Sequence, residues 1–140
     1  MPAFDPLDTS DRDSLSVREV ADRFIEVFYN QNRLSDAFRA WVHPDYIQHD
    51  PNSLTGRDGT ISVLDAHMAR HPEMQHHVKR VIYDDDGYVV VHFHFEPSPG
   101  ALGSAAIDIF RIEGGYLVEH WDVIQPVPDP ATTKNHNGMF

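Results

Sequence analysis

The segment from Asp108 to Gln125, DIFRIEGGYLVEHWDVIQ, constrains this chain more than any other. It reads as two alternating strands joined by a tight Glu113-Gly114-Gly115 turn. A period of two puts Asp108 and Phe110 on one face of the first strand, and Val118, His120, Asp122 and Ile124 on one face of the second. A sheet face buried against a core is normally apolar. A face that interleaves carboxylates and an imidazole with Phe, Val and Ile therefore reads as the floor of a pocket able to tune proton affinity. The competing reading leaves His120 and Asp122 on the solvated face and gives the core to Leu117, Trp121 and Val123.

At 140 residues the chain has room for one domain with a single core or a modest internal cavity. Its formal net charge of -11 repels phosphate, so neither nucleic acid nor an anionic membrane is an expected partner. The absence of cysteine removes disulfides, thiolate metal sites and a Cys nucleophile. Met1 to Asp8 has neither a basic n-region nor an apolar h-region, and no apolar run reaches membrane-spanning length. A cytoplasmic location is the expectation.

The first half patterns as helix and the second as strand, which predicts one α+β domain. Residues 1–15 are acidic and turn-rich and read as a flexible arm. Ser16-Val17-Arg18-Glu19 fits a capping box, and Val17, Val20, Ala21, Phe24, Ile25 and Phe28 continue it as a helix to near Asn30 or Asn32. A shorter helix is expected from Ser35 to Val42, presenting Phe38 and Trp41 and closed by Pro44. A third runs from about Asp58 to Arg70, where Pro72 stops it.

Four strands follow: Val78 to Tyr83, Tyr88 to Glu96, Ser104 to Ile112 and Tyr116 to Gln125. The Asp84-Asp85-Asp86-Gly87 run between the first two reads as a solvated hairpin tip. Repeated proline from Pro126 to Pro130 ends the last strand and leaves residues 127–140 as a tail.

Tyr46-Ile47-Gln48-His49-Asp50-Pro51 followed by Gly56, together with Asp108-Ile109-Phe110-Arg111 and the run from Glu119 to Gln125, resembles the SnoaL-like branch of the nuclear-transport-factor-2-like superfamily. The resemblance covers residues 16–126. It implies a cone: about three helices packed in a curved, mainly antiparallel sheet around an apolar cavity open at one end. It also implies a homodimer through the outer sheet face, to which Phe93, Phe95, Ile107 and Ile109 would contribute. Relatives include polyketide cyclases, ketosteroid isomerases, dehydratases, epoxide hydrolases and non-catalytic transport or adaptor domains. Fold alone chooses no chemistry.

The residues favour proton transfer on a small apolar carbonyl or hydroxyl substrate: aldol cyclisation, isomerisation or dehydration, without cofactor or metal. Asp122 and Asp108 are the candidate acid/base groups and His120 the neighbouring imidazole. The resemblance sets His49 at the cavity mouth, where it and Tyr46 could hydrogen-bond a developing enolate oxygen. Trp41, Phe24, Phe28 and Phe110 would form the apolar wall, although such residues equally make ordinary core. His92 and His94 share a strand face and either line the cavity or occupy the outer face. Two rival functions remain open. One is a non-catalytic small-molecule-binding module. The other is a metal enzyme using His92, His94 and Glu96, a donor set similar to that of cupins.

Overall fold

The computed structural model describes residues 4–140. Helix α1 (Val17–Ile25) begins at the expected capping box: the Ser16 hydroxyl accepts from the Glu19 amide, and the Glu19 carboxylate accepts from the Ser16 amide. It continues as a π-helical turn over Glu26–Asn30. The wider turn buries Val27, Phe28 and Tyr29. Asn32, at φ 57°, turns the chain away. Its side chain then ties two elements together, donating to the Met74 carbonyl at 2.8 Å and meeting His76 Nδ1 at 3.0 Å.

Helices α2 (Leu34–Trp41) and α3 (Arg57–Arg70) lie within a residue of their expected limits. Between them is an element the pattern did not suggest, strand β1 (Val42–Gln48). It pairs in parallel with β5 (Tyr116–Pro126), matching Gln48 to His120. Because β1 is an edge strand, Pro44 removes no ladder bond that a neighbour needs. Pro44 therefore sits in a strand and does not close the second helix.

The other strands are β2 (Gln75–Tyr83), β3 (Tyr88–Glu96) and β4 (Ser104–Glu113). The sheet order is β1-β5-β4-β3-β2, antiparallel except for the β1–β5 pair. This is the α+β cone. The helices cover the inner face, where Val89, Val91, Phe93, Ala106, Asp108, Phe110 and His120 are buried. Phe24 is the hinge of the aromatic core, 5.1 Å from Phe28, 5.3 Å from Phe110 and 5.9 Å from Phe38.

The pleat corrects the grouping expected for the outer face. His92 pairs with Ile107 and Phe93 with Ala106, so Phe93 and Phe95 point inward while Ile107 and Ile109 point outward. The four do not share a surface.

The expected flexible arm is also corrected over the residues described. Trp41 Nε1 donates to the Pro6 carbonyl at 2.8 Å. The Arg12 guanidinium donates to the carbonyls of Ala40 and Gly115 and lies 3.9 Å from the Tyr116 ring and 4.9 Å from the Trp41 ring. The segment is a latch, held because Trp41 and two backbone carbonyls would otherwise lack polar partners. Arg12→Ala is expected to lower unfolding stability by about 2–3 kcal/mol, as lost carbonyl hydrogen bonds and cation–π contact add up. Urea denaturation with an unchanged midpoint would show that the segment does not latch.

Candidate active site

Three pairings bring the site together. Register sets Asp108 opposite Asp122, Phe110 opposite His120, and Gln48 beside His120 on the far side of β5. His120 Nε2 lies 2.8 Å from Asp108 Oδ1, and His120 Nδ1 lies 2.6 Å from Gln48 Oε1. The other Asp108 oxygen accepts from the Tyr29 hydroxyl, delivered by the π turn. Gln48 Oε1 also accepts from the Asp50 amide at 3.0 Å. With an oxygen acceptor at each ring nitrogen, His120 is arranged as a doubly donating imidazolium.

The electrostatics agree. Burial alone would lower the His120 pKa, but the charge and hydrogen bond of Asp108, with Asp122 behind them, raise it above the usual histidine value. Asp122 is pushed up to about 7 from 3.8, first by burial, then by its hydrogen bond with Asp50 and by the Asp108 charge. Burial, and then Asp108, holds the Tyr29 and Tyr46 hydroxyls well above the ordinary tyrosine range. Both are neutral donors. Tyr46 stacks 6.3 Å from the His120 ring, and its buried hydroxyl has no hydrogen-bond partner among the described residues. A buried orphan hydroxyl is costly, which makes it a position to be completed by something else.

These groups stand at one end of a cavity of about 390 Å³. Phe28, Phe38, Phe93, Phe95 and Leu64 make much of its wall, and Asp50, Asp108 and Asp122 are its carboxylates. A larger concavity of about 780 Å³ around Asn30, Pro72 and His77 is open and polar and contains none of these carboxylates.

Of the residues expected at the site, Asp108, His120, Asp122, Tyr46, Phe28 and Phe110 converge here. Phe24 stands one layer behind, supporting Phe28 and Phe110. Trp41 does not line the cavity: it faces the N-terminal latch instead, because α2 packs its Phe38 side inward. His49 is likewise elsewhere. It stacks 4.9 Å from Trp121 and pairs with Glu119 at 2.8 Å on the outer side of the sheet, since β1 sends Tyr46 and Gln48 inward and alternation sends His49 out. His92 and His94 take the outer face, against Arg80 and Phe140. The three-group clusters that could hold a metal among the described residues reduce to Asp108, His120 and Asp122, within 4.8 Å of one another, and do not include His92, His94 and Glu96.

Tyr29, Gln48, Asp50 and His76 were not expected in the site. Gln48 and Asp50 were recoverable, because reading Tyr46 to Asp50 with a period of two sets Tyr46, Gln48 and Asp50 on one face. Tyr29 had no such signal.

Fold and site together define a small-molecule pocket in an α+β cone, with an ionisable cluster at one end. The chain belongs to the SnoaL-like domain family, whose model matches residues 21–120. No curated protein matches it by sequence. Among solved structures it is similar in fold to IdmH from Streptomyces antibioticus, a candidate polyketide cyclase (19% identity, 79% of this chain and 92% of that one, TM-score 0.60). It is also similar to AclR from Streptomyces galilaeus, a candidate hydroxylase (18%, 78% and 88%, TM-score 0.62). A third is TsrD from Streptomyces laurentii (22%, 77% and 87%, TM-score 0.60). No described helix is long and apolar enough to cross a membrane.

The raised Asp122 pKa has a sign that can be tested. The folded chain disfavours ionised Asp122, so this group costs stability progressively as pH rises from about 4 to about 7 and no further above that. His76, pushed down to about 4 by burial, acts oppositely below its unfolded value of 6.5 and masks the slope in the parent protein. Asp122→Asn should therefore gain stability relative to the parent between pH 4 and 7 and level off beyond. A constant difference in melting temperature across that range would mean that the Asp122 pKa is not raised.

Proposed function

We propose that this protein is a cofactor-independent acid/base enzyme that moves a proton on a small apolar carbonyl or hydroxyl substrate in the cavity, as in aldol cyclisation, isomerisation or dehydration. The observation that carries this reading is the inequality of two facing carboxylates. Both Asp108 oxygens are occupied, by His120 and Tyr29, whereas Asp122 is half-buried with a pKa of about 7. A group titrating there suits general acid/base work at neutral pH.

In this mechanism ionised Asp122 removes a proton from the carbon next to the carbonyl. Negative charge develops on the carbonyl oxygen, and the orphan Tyr46 hydroxyl is the donor at hand to meet it. Protonated Asp122 then returns the proton to the new carbon in an isomerisation, to the departing hydroxyl in a dehydration, or, once the enolate carbon has bonded to a second carbonyl carbon in an aldol closure, to the alkoxide oxygen so formed. His120 relays nothing, because both its nitrogens are engaged; its fixed positive charge offsets Asp108 and keeps Asp122 from rising further. A metal at Asp108, His120 and Asp122 would need to displace the mutual His120–Asp108 hydrogen bond, so metal-free chemistry fits this donor set better.

Asp122→Asn preserves shape and removes the titratable proton. With a substrate in hand it should cost on the order of a hundredfold or more in kcat, while the parent rate rises with pH through an inflection near 7. Activity that survives this substitution but is abolished by a chelator would replace the proposal with a metal enzyme.

We further propose that the protein acts in the cytoplasm as a homodimer through the outer sheet face. Ile107 and Val123, 39% and 70% exposed, lie next to each other there in register, beside the Trp121–Ile109 pair. Adjoining exposed apolar side chains on an uncovered sheet face favour burial against a second copy. Light scattering is expected to give twice the monomer mass at micromolar concentration, and Val123→Glu to give the monomer. A parent protein that is already monomeric would defeat the proposal.

A further inference from the structure

Helix α3 supplies one wall of the cavity through Thr60, Val63, Leu64, His67 and Arg70. These positions recur at intervals of three and four, so they form one stripe along the helix. The stripe changes in character along its length. At the Thr60 end it adjoins the strand that carries Tyr46: Thr60 bonds back to Gly56, whose amide donates to the backbone carbonyl of Tyr46. At the other end the His67 ring lies 5.2 Å from Phe95, and Arg70 is close enough to depress the His67 pKa, after burial and His71.

The sheet gives the same axis independently. On the inner face of β4, Asp108 is followed toward the mouth by Ala106 and Ser104, and Ser104 is opposite Phe95. At about 3.4 Å per residue, Ser104 lies roughly 14 Å from Asp108. Along α3, at about 1.5 Å per residue, Arg70 lies roughly 15 Å from Thr60. The cavity thus runs from an acidic end to a basic one.

That polarity is unusual for a chain with net charge -11. The three cavity carboxylates, Asp50, Asp108 and Asp122, belong to the reacting end. Arg70 forms no ion pair among the described residues. An unpaired guanidinium that lines the same apolar cavity as an imidazole and a serine hydroxyl can receive a planar oxyanion. We infer that the substrate is a keto acid: an apolar body filling the cavity, a reacting carbonyl at the Asp122–Tyr46 end, and a carboxylate on the order of 10 Å away, held by Arg70 with His67 and Ser104. This inference rests on the proposed carbonyl chemistry for the choice of reacting end. The anion site itself stands on α3 and β4 alone. It also gives the substrate one orientation, since reversal would bring its carboxylate against Asp108 and Asp122.

The test uses the whole protein and a rigid probe of matching length, an acetylbiphenyl carboxylate with its carbonyl and carboxylate at opposite para ends, against its neutral methyl ester. Calorimetry should show the acid binding about tenfold more tightly than the ester, and Arg70→Gln should bring the two within about twofold by weakening the acid alone. Arg70 is exposed, so folding is not at stake. Equal affinity of acid and ester in the parent, no binding of the acid at millimolar concentration, or a variant that weakens both probes alike would overturn the inference. These binding outcomes do not depend on turnover, so a failure of Asp122 to act as the acid/base group would appear separately, in the rate of Asp122→Asn.

Discussion

One buried carboxylate organises this protein. Asp108 is 7% exposed in the middle of the inner sheet face, where an unpaired charge would be prohibitive. His120 satisfies it from the neighbouring strand, and Tyr29 from the helix above. Each partner imposes a further demand. Tyr29 reaches the carboxylate from the π turn that widens the end of the first helix. His120, held as a cation, needs an acceptor for its second nitrogen and finds it in Gln48 on β1. Breaking such a buried pair by removing one member typically costs about 3–5 kcal/mol, so the hydrogen bonds that prepare the site also hold the cone together.

The pairing separates two carboxylates that register sets face to face. Asp108 spends its acceptor capacity on structure. Asp122, half-buried beside Asp50 and opposite that charge, is left with a proton it can give or take near neutrality. Environment makes the difference between two identical side chains, and the rest of the cavity follows the same rule. Its walls are largely aromatic and aliphatic, and the ionisable groups that line it are few: Asp50, Asp108, Asp122 and His120, with His67 and Arg70 from α3 and His76 from β2.

The pleat governs the exterior as strictly. Phe93 and Phe95 go inward because His92 and His94 go outward, and Trp121 and Val123 face away because His120 and Asp122 face in. The outer surface therefore carries a histidine and aliphatic mixture, over which the tail brings Phe140 to within 4.8 Å of the His94 ring.

Local pattern determined a good deal here. The capping box at Ser16, the three helices and four of the five strands, with β2 beginning at Gln75 and not at Val78, the Glu-Gly-Gly hairpin and the shared face of Asp108, Phe110, His120 and Asp122 follow from capping chemistry and a period of two or 3.6, and the motifs resemble the family that the chain proves to belong to. Tertiary structure decided what periodicity leaves free. Alternation states which residues of a strand share a face but not which face meets the helices, so His92 and His94 were undecided until β3 was packed. Trp41 reads as pocket wall from spacing, yet becomes core because a segment far away in sequence lies over it. β1 is short, irregular and interrupted by Pro44, and exists as a strand because β5 is there to pair with it, which carries His49 out of the site and Gln48 into it. Tyr29 acquires its role only across the long separation to Asp108. In each case the deciding contact joins elements distant in the chain, and the free energy of burying a charge or an aromatic ring is set by that neighbour, which no local window contains.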